Sequence, residues 1–333
     1  SIQKLSTEIS RTVLGILLSL TVLFGMLSVI RMLSGDAVLE GTNLAGGAQT
    51  LLEGLTPKRE IGEIPIVQET EVPLLVMQPT STQAPREGTA RVTFTGTMAL
   101  ETEIRQSGYS KTSKTYDFSD ILMPAAASLR SDLCVAALEN LVSPSDTVSD
   151  LIAPDEVMGM LVSGNVDQVA LGFGRSFDRG YEGLSATVLS AQSHGLEAVG
   201  AYRNEGEAAL SEQIHSIDGI RLAVLHYTEA LTNAGRKALT KDGRIYAVPL
   251  LEQAVQDIPL VRSLGADFVI VSVHWGTEGK SEVTKAQRTA AEMLCRAGAD
   301  VIVGNGPRRL QSVERMNVTD EAGQVHEALC AFS

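Results

Sequence analysis

The residues best suited to chemistry in this sequence follow short apolar runs, where buried strands are expected to end. Glu139 follows the run from Asp132 to Leu138, and Asp178 lies just beyond a second run that ends at Phe173. His274 closes the most apolar run of the chain, and Glu278 follows it. Carboxylate and imidazole groups can ligate divalent cations or act as general acids and bases. Because parallel strands end at one edge of a sheet, we expect a single site there.

Three further strand-end residues change the chemistry that such a site could perform. Thr97 follows the first predicted strand, Arg175 precedes Asp178, and Arg308 follows the last apolar run. A guanidinium group opposes a nearby divalent cation and binds carboxylate or phosphate directly. If both arginines point inward, the sequence predicts an anion pocket that contains no metal. If both face solvent, the pocket is inert.

The elements that must position these residues alternate between strand and helix. Ala286, Ala290, Met293, Leu294 and Ala297 have the spacing of one helical face. Strands that alternate with helices indicate an α/β fold with its site at the carboxyl edge of the sheet. The apolar runs predict strands at 91–95, 132–138, 166–173, 196–199, 267–274 and 300–303, a hairpin turn at 218–219, and a helix from about Pro249.

These strand-end motifs, in this order, resemble the bacterial capsule-synthesis CapA family, whose members also serve in poly-γ-glutamate production. The most specific part is His274-Trp-Gly-x-Glu278, followed by Gly298-Ala-Asp300. Weaker matches extend from Val92 to Ser333, at 116–118, 178–180, 195–196, 218–220 and Gln287. The resemblance implies a calcineurin-like metallophosphoesterase fold, layered α/β/β/α, with two cations held at the strand ends. It also implies that a further strand and a Gly-Asn-Phe-like element would follow Ser333, so we expect the domain to be truncated at its carboxyl end.

The sequence departs from the family pattern at most of the implied metal ligands. Where the family carries Asp, Asn and His donors, this chain has Thr97, Ala137, Phe173, Gly174, Arg175, Asn305 and Arg308. Glu139, Asp178, His274 and Glu278 remain as candidate donors. We therefore expect no bound metal, no cofactor and no active metal-dependent hydrolase, and the sequence leaves open whether another catalytic activity persists.

The segment before the predicted domain divides into an anchor at 1–33 and a tether at 34–88. Nineteen uncharged residues, Thr12 to Ile30, are long enough for one membrane-spanning helix. Lys4 and Arg11 precede this run, which places the amino end in the cytoplasm and the domain at 89–333 outside it. The tether carries five prolines, eight acidic and three basic residues and no aromatic residue, which predicts a disordered spacer.

Charge and cysteine content exclude several classes of protein. The chain has 27 basic and 40 acidic residues, a net charge of −13, so nucleic acid is not an expected partner. Three scattered cysteines indicate neither a disulfide framework nor a thiolate zinc site. Two hypotheses remain: a membrane-anchored extracytoplasmic CapA-like protein of capsule or poly-γ-glutamate synthesis or export, and a non-catalytic envelope-tethered binding or scaffold module. The expected partners are the cell membrane, capsule or polyglutamate synthesis and export proteins, and the polymer.

Overall fold

A computed structural model describes residues 88–143, 148–319 and 323–333 of the chain. The predicted membrane segment Thr12 to Ile30 and residues 34–87 of the predicted tether lie outside these ranges. Within the described part, no helix has the length and apolar character needed to cross a membrane.

Two parallel-rich sheets form the centre of the described domain. The first has the order β1-β4-β7-β8 and the second the order β13-β14-β12-β11-β10-β9, and β2-β3 and β5-β6 form two small pairs. The strands are β1 Val92–Met98, β2 Tyr109–Ser110, β3 Thr115–Tyr116, β4 Leu133–Leu138, β5 Leu141–Val142, β6 Ile152–Ala153, β7 Gln168–Ala170, β8 Glu197–Val199, β9 Ile214–Ile217, β10 Ile220–Thr228, β11 Phe268–His274, β12 Val301–Asn305, β13 Val313–Thr319 and β14 Val325–Ala331.

Helices pack with strands in two separate apolar clusters, one for each sheet, and a third cluster is formed by strand residues of both sheets. The helices are α1 Thr102–Ser107, α2 Ser119–Leu122, α3 Ala126–Leu129, α4 Glu156–Ser163, α5 Gly180–Ser193, α6 Asn233–Asp242, α7 Ala254–Ser263 and α8 Lys285–Ala297. Short 3₁₀ turns lie at Met123–Ala125, Leu210–Gln213, Ile245–Ala247 and Leu251–Gln253.

Alternation along the buried strands produces this layering. In β4, Leu133, Val135 and Ala137 pack between the sheets, whereas Cys134 and Leu138 pack under the helices of the first sheet. Successive side chains of a strand point to opposite faces, so a strand that is apolar throughout must be covered on both sides. The mixed α/β class predicted from the sequence is confirmed.

Two parts of the fold differ from the sequence prediction. The strand predicted at 166–173 is shorter and spans Gln168–Ala170, and a turn begins at Gly174. Between them the backbone at Gly172 is crowded, since a Cβ atom there would lie 2.8 Å from both the Gly200 carbonyl oxygen and the His226 ring. The hairpin of β13 and β14 was not predicted. Its residues alternate between a face that packs on α8 and an exposed face, which gives a weaker apolar signal than a fully buried strand.

Candidate functional site

The carboxyl ends of β1, β4, β11 and β12 meet at one edge of the two sheets and border an open cleft of about 590 Å³. The lining includes Glu139 after β4, His274 at the end of β11, and Arg308 in the loop after β12. The remaining lining residues are Ala99, Glu101, Thr102, Glu103, Asp150, Phe173, Gly174, Arg175, Trp275, Gly276, Glu278 and Gly306. The cleft therefore draws side chains from both sheets.

Glu139 is the centre of the hydrogen-bond network in this cleft, and its side chain is only 9% exposed. Its Oε1 accepts hydrogen bonds from Thr97 Oγ1 at 2.9 Å and from His274 Nε2 at 3.0 Å. Its Oε2 accepts from Arg308 Nη2 at 2.7 Å and Nε at 3.1 Å. Four donors thus converge on the two oxygens of one carboxylate.

The electrostatic surroundings of Glu139 favour its ionised form. Burial alone would raise the pKa of this carboxyl group, but the hydrogen bonds and charges of His274 and Arg308 outweigh that effect and lower it. Burial would also lower the pKa of Arg308, and the neighbouring carboxylates of Glu139, Glu278 and Glu101 raise it instead. The two groups form a charged pair at neutral pH.

Arg308 contacts three carboxylates at once. Besides Glu139, its Nη1 donates to Glu278 Oε1 at 3.1 Å and to a carboxylate oxygen of Glu101. The Glu101 and Glu278 side chains are 59% and 68% exposed, so the guanidinium lies between one buried and two exposed acids. The backbone of Arg308 has φ 54°, the left-handed region that non-glycine residues seldom occupy.

Thr97 joins the first sheet to the loop that carries Arg308. Its Oγ1 donates to Glu139 and accepts a hydrogen bond from the Gly306 amide at 2.9 Å. Gly306 has φ 109°, and a Cβ atom there would lie 2.6 Å from the Trp275 carbonyl oxygen. A glycine is therefore required where this loop passes the end of β11.

The other two candidate residues form a separate pair beside this network. Arg175 lines the cleft with its side chain 53% exposed, and its Nε donates to Asp178 Oδ2 at 3.2 Å. Asp178 does not line the cleft and accepts a second hydrogen bond from the Thr232 hydroxyl, which caps the first turn of α6. Among the predicted site residues, hydrogen bonds thus connect Thr97, Glu139, His274, Glu278 and Arg308, whereas Asp178 is directed towards α6.

Several lining residues were not identified from the sequence. Glu101, Glu103 and Asp150 also border the cleft, so with Glu139 and Glu278 its acidic side chains outnumber the two arginines. The sequence predicted an anion pocket if both arginines pointed inward and an inert pocket if both faced solvent. Three carboxylates surround the Arg308 guanidinium, and Arg175 pairs with Asp178. No motif marks Glu101, Glu103 and Asp150: Glu101 and Asp150 lie in loops, and Glu103 lies in the first turn of α1. In the described ranges, no group of three or more His, Cys, Asp or Glu side chains is arranged to hold a metal ion.

A buried polar network lies beneath the cleft. His226 Nε2 lies 2.7 Å from the Gly172 carbonyl oxygen, so this nitrogen carries the proton, and Nδ1 accepts from Ser272 Oγ at 3.0 Å. Asn305 Nδ2 lies 3.4 Å from the same Ser272 oxygen. The network connects the loop after β7 in the first sheet to three strands of the second.

The chain was compared with solved structures. A 5'-nucleotidase precursor from Thermus thermophilus aligns with a TM-score of 0.36 and 14% identity, over 63% of this chain and 41% of that one. The NAD nucleotidase NadN of Haemophilus influenzae aligns with a TM-score of 0.38 and 13% identity, over 65% of this chain and 39% of that one.

The chain is also similar to curated bacterial proteins. The PGA biosynthesis protein CapA of Bacillus subtilis (strain 168) is 29% identical over 150 residues, 43% of this chain and 37% of that protein. The capsule biosynthesis protein CapA of Bacillus anthracis is 28% identical over 138 residues, 41% of this chain and 33% of that protein. The chain thus spans about a third of the length of each. Residues 91–333 match the family described as bacterial capsule synthesis protein PGA_cap, and the chain belongs to this family.

Proposed function

We propose that this chain is a membrane-anchored, extracytoplasmic protein of capsule or poly-γ-glutamate synthesis or export. The family match over residues 91–333 is the observation that carries the proposal. The CapA proteins of the two Bacillus species, which are named for capsule and PGA biosynthesis, support the same process. In this proposal, residues 89–333 form a CapA-like domain with a metallophosphoesterase-type arrangement of layers.

The anchoring part of the proposal rests on the amino-terminal sequence. Thr12 to Ile30 contains no charge over nineteen residues, which matches the hydrocarbon thickness of a bilayer. The proline-rich acidic segment at 34–88 would then hold the domain away from the membrane surface. Lys4 and Arg11 on the amino-terminal side of the apolar run support the proposed extracytoplasmic location of the domain.

The cleft favours a role without an intact two-metal centre. Two cations that clamp a phosphate need several carboxylate, amide or imidazole donors whose oxygens and nitrogens are free to ligate. Here the three nearest carboxylates are engaged by the Arg308 guanidinium, and His274 Nε2 is directed at Glu139. The donor set does not fit a two-cation centre, so the proposal includes no metal-dependent hydrolysis.

A second candidate function is a non-catalytic binding or scaffold module that acts through another surface. The acidic excess of the cleft lining favours it, because a polyanion such as poly-γ-glutamate is repelled by carboxylates of the same sign. Under this alternative the domain contacts synthesis or export proteins, and the polymer does not enter the cleft.

Gene deletion and complementation in the source bacterium test the proposed process. Loss of cell-surface capsule or polyglutamate on deletion, restored by the full chain, supports it, and an unchanged surface polymer refutes it.

Elemental analysis of the purified chain, with His274→Ala as the matched variant, tests the mechanism. Near-stoichiometric Mn²⁺ or Zn²⁺ that is lost in the variant would refute the metal-free cleft. Binding of a γ-glutamate oligomer to the purified chain distinguishes polymer handling from the scaffold alternative.

A further inference from the structure

The three carboxylates around Arg308 belong to three separate loops. Glu101 follows β1 and Glu139 follows β4 in the first sheet, and Glu278 follows β11 in the second. Arg308 comes from the loop after β12. One guanidinium therefore connects the carboxyl ends of both sheets, and each contact is a charge-assisted hydrogen bond of the stronger kind.

Without the guanidinium these acids would have too little positive charge beside them. Three carboxylates that hydrogen-bond one side chain lie close together, and their mutual repulsion is strongest where water is scarce. Glu139 cannot relieve this repulsion by turning towards solvent, because its side chain is only 9% exposed and is also hydrogen-bonded to Thr97 and His274. A cation at this point is therefore a requirement of the acidic cleft.

We infer that Arg308 is the built-in cation of the cleft and that its guanidinium balances the charge of Glu101, Glu139 and Glu278, so that no dissolved cation is needed there. The protein thereby carries its own counter-ion, and the geometry of the cleft is independent of dissolved metal. The inference goes beyond the proposed function, since it concerns the charge balance of this cleft in whatever process the chain serves.

The left-handed backbone of Arg308 is consistent with this assignment. A non-glycine residue at φ 54° carries a conformational cost that the surrounding contacts must offset. The Gly306 amide, held by Thr97, fixes the loop two residues earlier, and the three carboxylates fix the end of the side chain. The side chain is thus held at both its backbone and its charged end.

The experiment measures thermal unfolding of the full purified chain with EDTA, Mn²⁺ or Ca²⁺. We expect the wild type to give the same Tm in all three. Arg308→Ala should lower the Tm in EDTA, and Mn²⁺ or Ca²⁺ should recover a substantial part of the loss as the ion takes the empty position. Arg308→Lys, which keeps a charge at this position, should show little of this response.

Matched variants separate this effect from general destabilisation. Arg288→Ala removes a guanidinium that pairs with the single acid Glu314 at 2.7 Å, and its Tm should not respond to metal. Should Arg308→Ala fold poorly, adding Glu101→Gln and Glu278→Gln should restore stability and abolish the metal response, because the repulsion is then removed.

Two results would overturn the inference. One is an Arg308→Ala protein whose Tm does not change with Mn²⁺ or Ca²⁺ and whose stability is not restored by Glu101→Gln and Glu278→Gln. The other is a wild-type protein that binds Mn²⁺ at about one ion per chain and loses it on Glu139→Gln, since metal and guanidinium would then coexist. The first result overturns the inference alone, whereas the second also refutes the metal-free cleft of the proposed function. Neither result depends on the surface polymer of the deletion strain, so the proposed process is tested separately.

Discussion

Acidification should destabilise the domain through His226, a buried residue that lies beneath the cleft. Its Nε2 donates to the Gly172 carbonyl oxygen, and its Nδ1 must remain unprotonated to accept from Ser272. Burial lowers the pKa of His226 from 6.5 to about 4, against the opposing effect of the Gly172 hydrogen bond and with a smaller contribution from the charge of His274. A second proton on this ring would place a positive charge in the interior and would require the Ser272 hydroxyl to turn its hydrogen away from Nδ1.

The size of the effect follows from the difference between the two pKa values. The unfolded chain takes up a proton at His226 below about pH 6.5, whereas the folded chain resists protonation until about pH 4. The unfolded state therefore binds more protons in this window, and stability falls as the pH falls through it. A difference of this size corresponds to about 3 kcal/mol between pH 7 and pH 4. The loss should be absent above pH 7 and complete below pH 4.

Chemical denaturation at several pH values between 7 and 4 measures this loss. His226→Asn keeps a polar side chain but cannot titrate, so the difference in unfolding free energy between wild type and variant should shrink steadily as the pH falls. Taking this difference cancels the other titrating groups. His194→Asn, at the half-exposed end of α5, controls for removal of a histidine elsewhere. A difference that stays constant across the window would refute the reasoning.

Three further outcomes are expected. Glu139→Gln should lower the unfolding free energy by about 2–4 kcal/mol, because the partly buried Arg308 guanidinium loses the charge of its most buried partner. Glu327→Gln removes a charge from an exposed pair and should cost less than about 1 kcal/mol in the same denaturation assay. Thr97→Val should cost about 1–3 kcal/mol, since it leaves the Gly306 amide without an acceptor, and a cost near zero would show that the loop finds another one. A cysteine at Thr70 should react with an impermeant reagent on intact cells, against a low background because the three natural cysteines are buried, and an unreactive cysteine would refute the proposed topology.

The α/β order could be predicted because it depends on local patterns. The apolar stripe through Ala286 and Leu294 lies in α8, whose first turn is capped by Thr284 and Gln287. The apolar run before His274 forms β11. The Asp218-Gly219 pair became the turn between β9 and β10, where both residues have positive φ. In each case the residues that form the signal also form the element.

The electrostatics of the cleft could not be predicted in the same way. Strand ends indicated where Glu139 and Arg308 would lie, but not that Glu101, which lies 207 positions earlier in the chain than Arg308, would contact the same guanidinium. Contacts between loops depend on how two sheets pack, and no spacing within one segment encodes that. For the same reason the sequence suggested Asp178 as part of the cluster, whereas Arg175 and the Thr232 hydroxyl hold it beside α6.

The loop from Asn305 to Arg308 connects the neutral network beneath the cleft to the charged network within it. Asn305 reaches down to Ser272 and so to His226, whereas Gly306 binds Thr97 and Arg308 binds Glu139. The lower network contains no formal charge and can remain dry, and the upper one pairs its charges where water can reach the exposed acids. Because one short loop supplies members of both, the position of the guanidinium depends on the packing of the neutral network beneath it. The charge of the Glu139 carboxylate is therefore balanced by a guanidinium whose loop is held by hydrogen bonds within the protein itself.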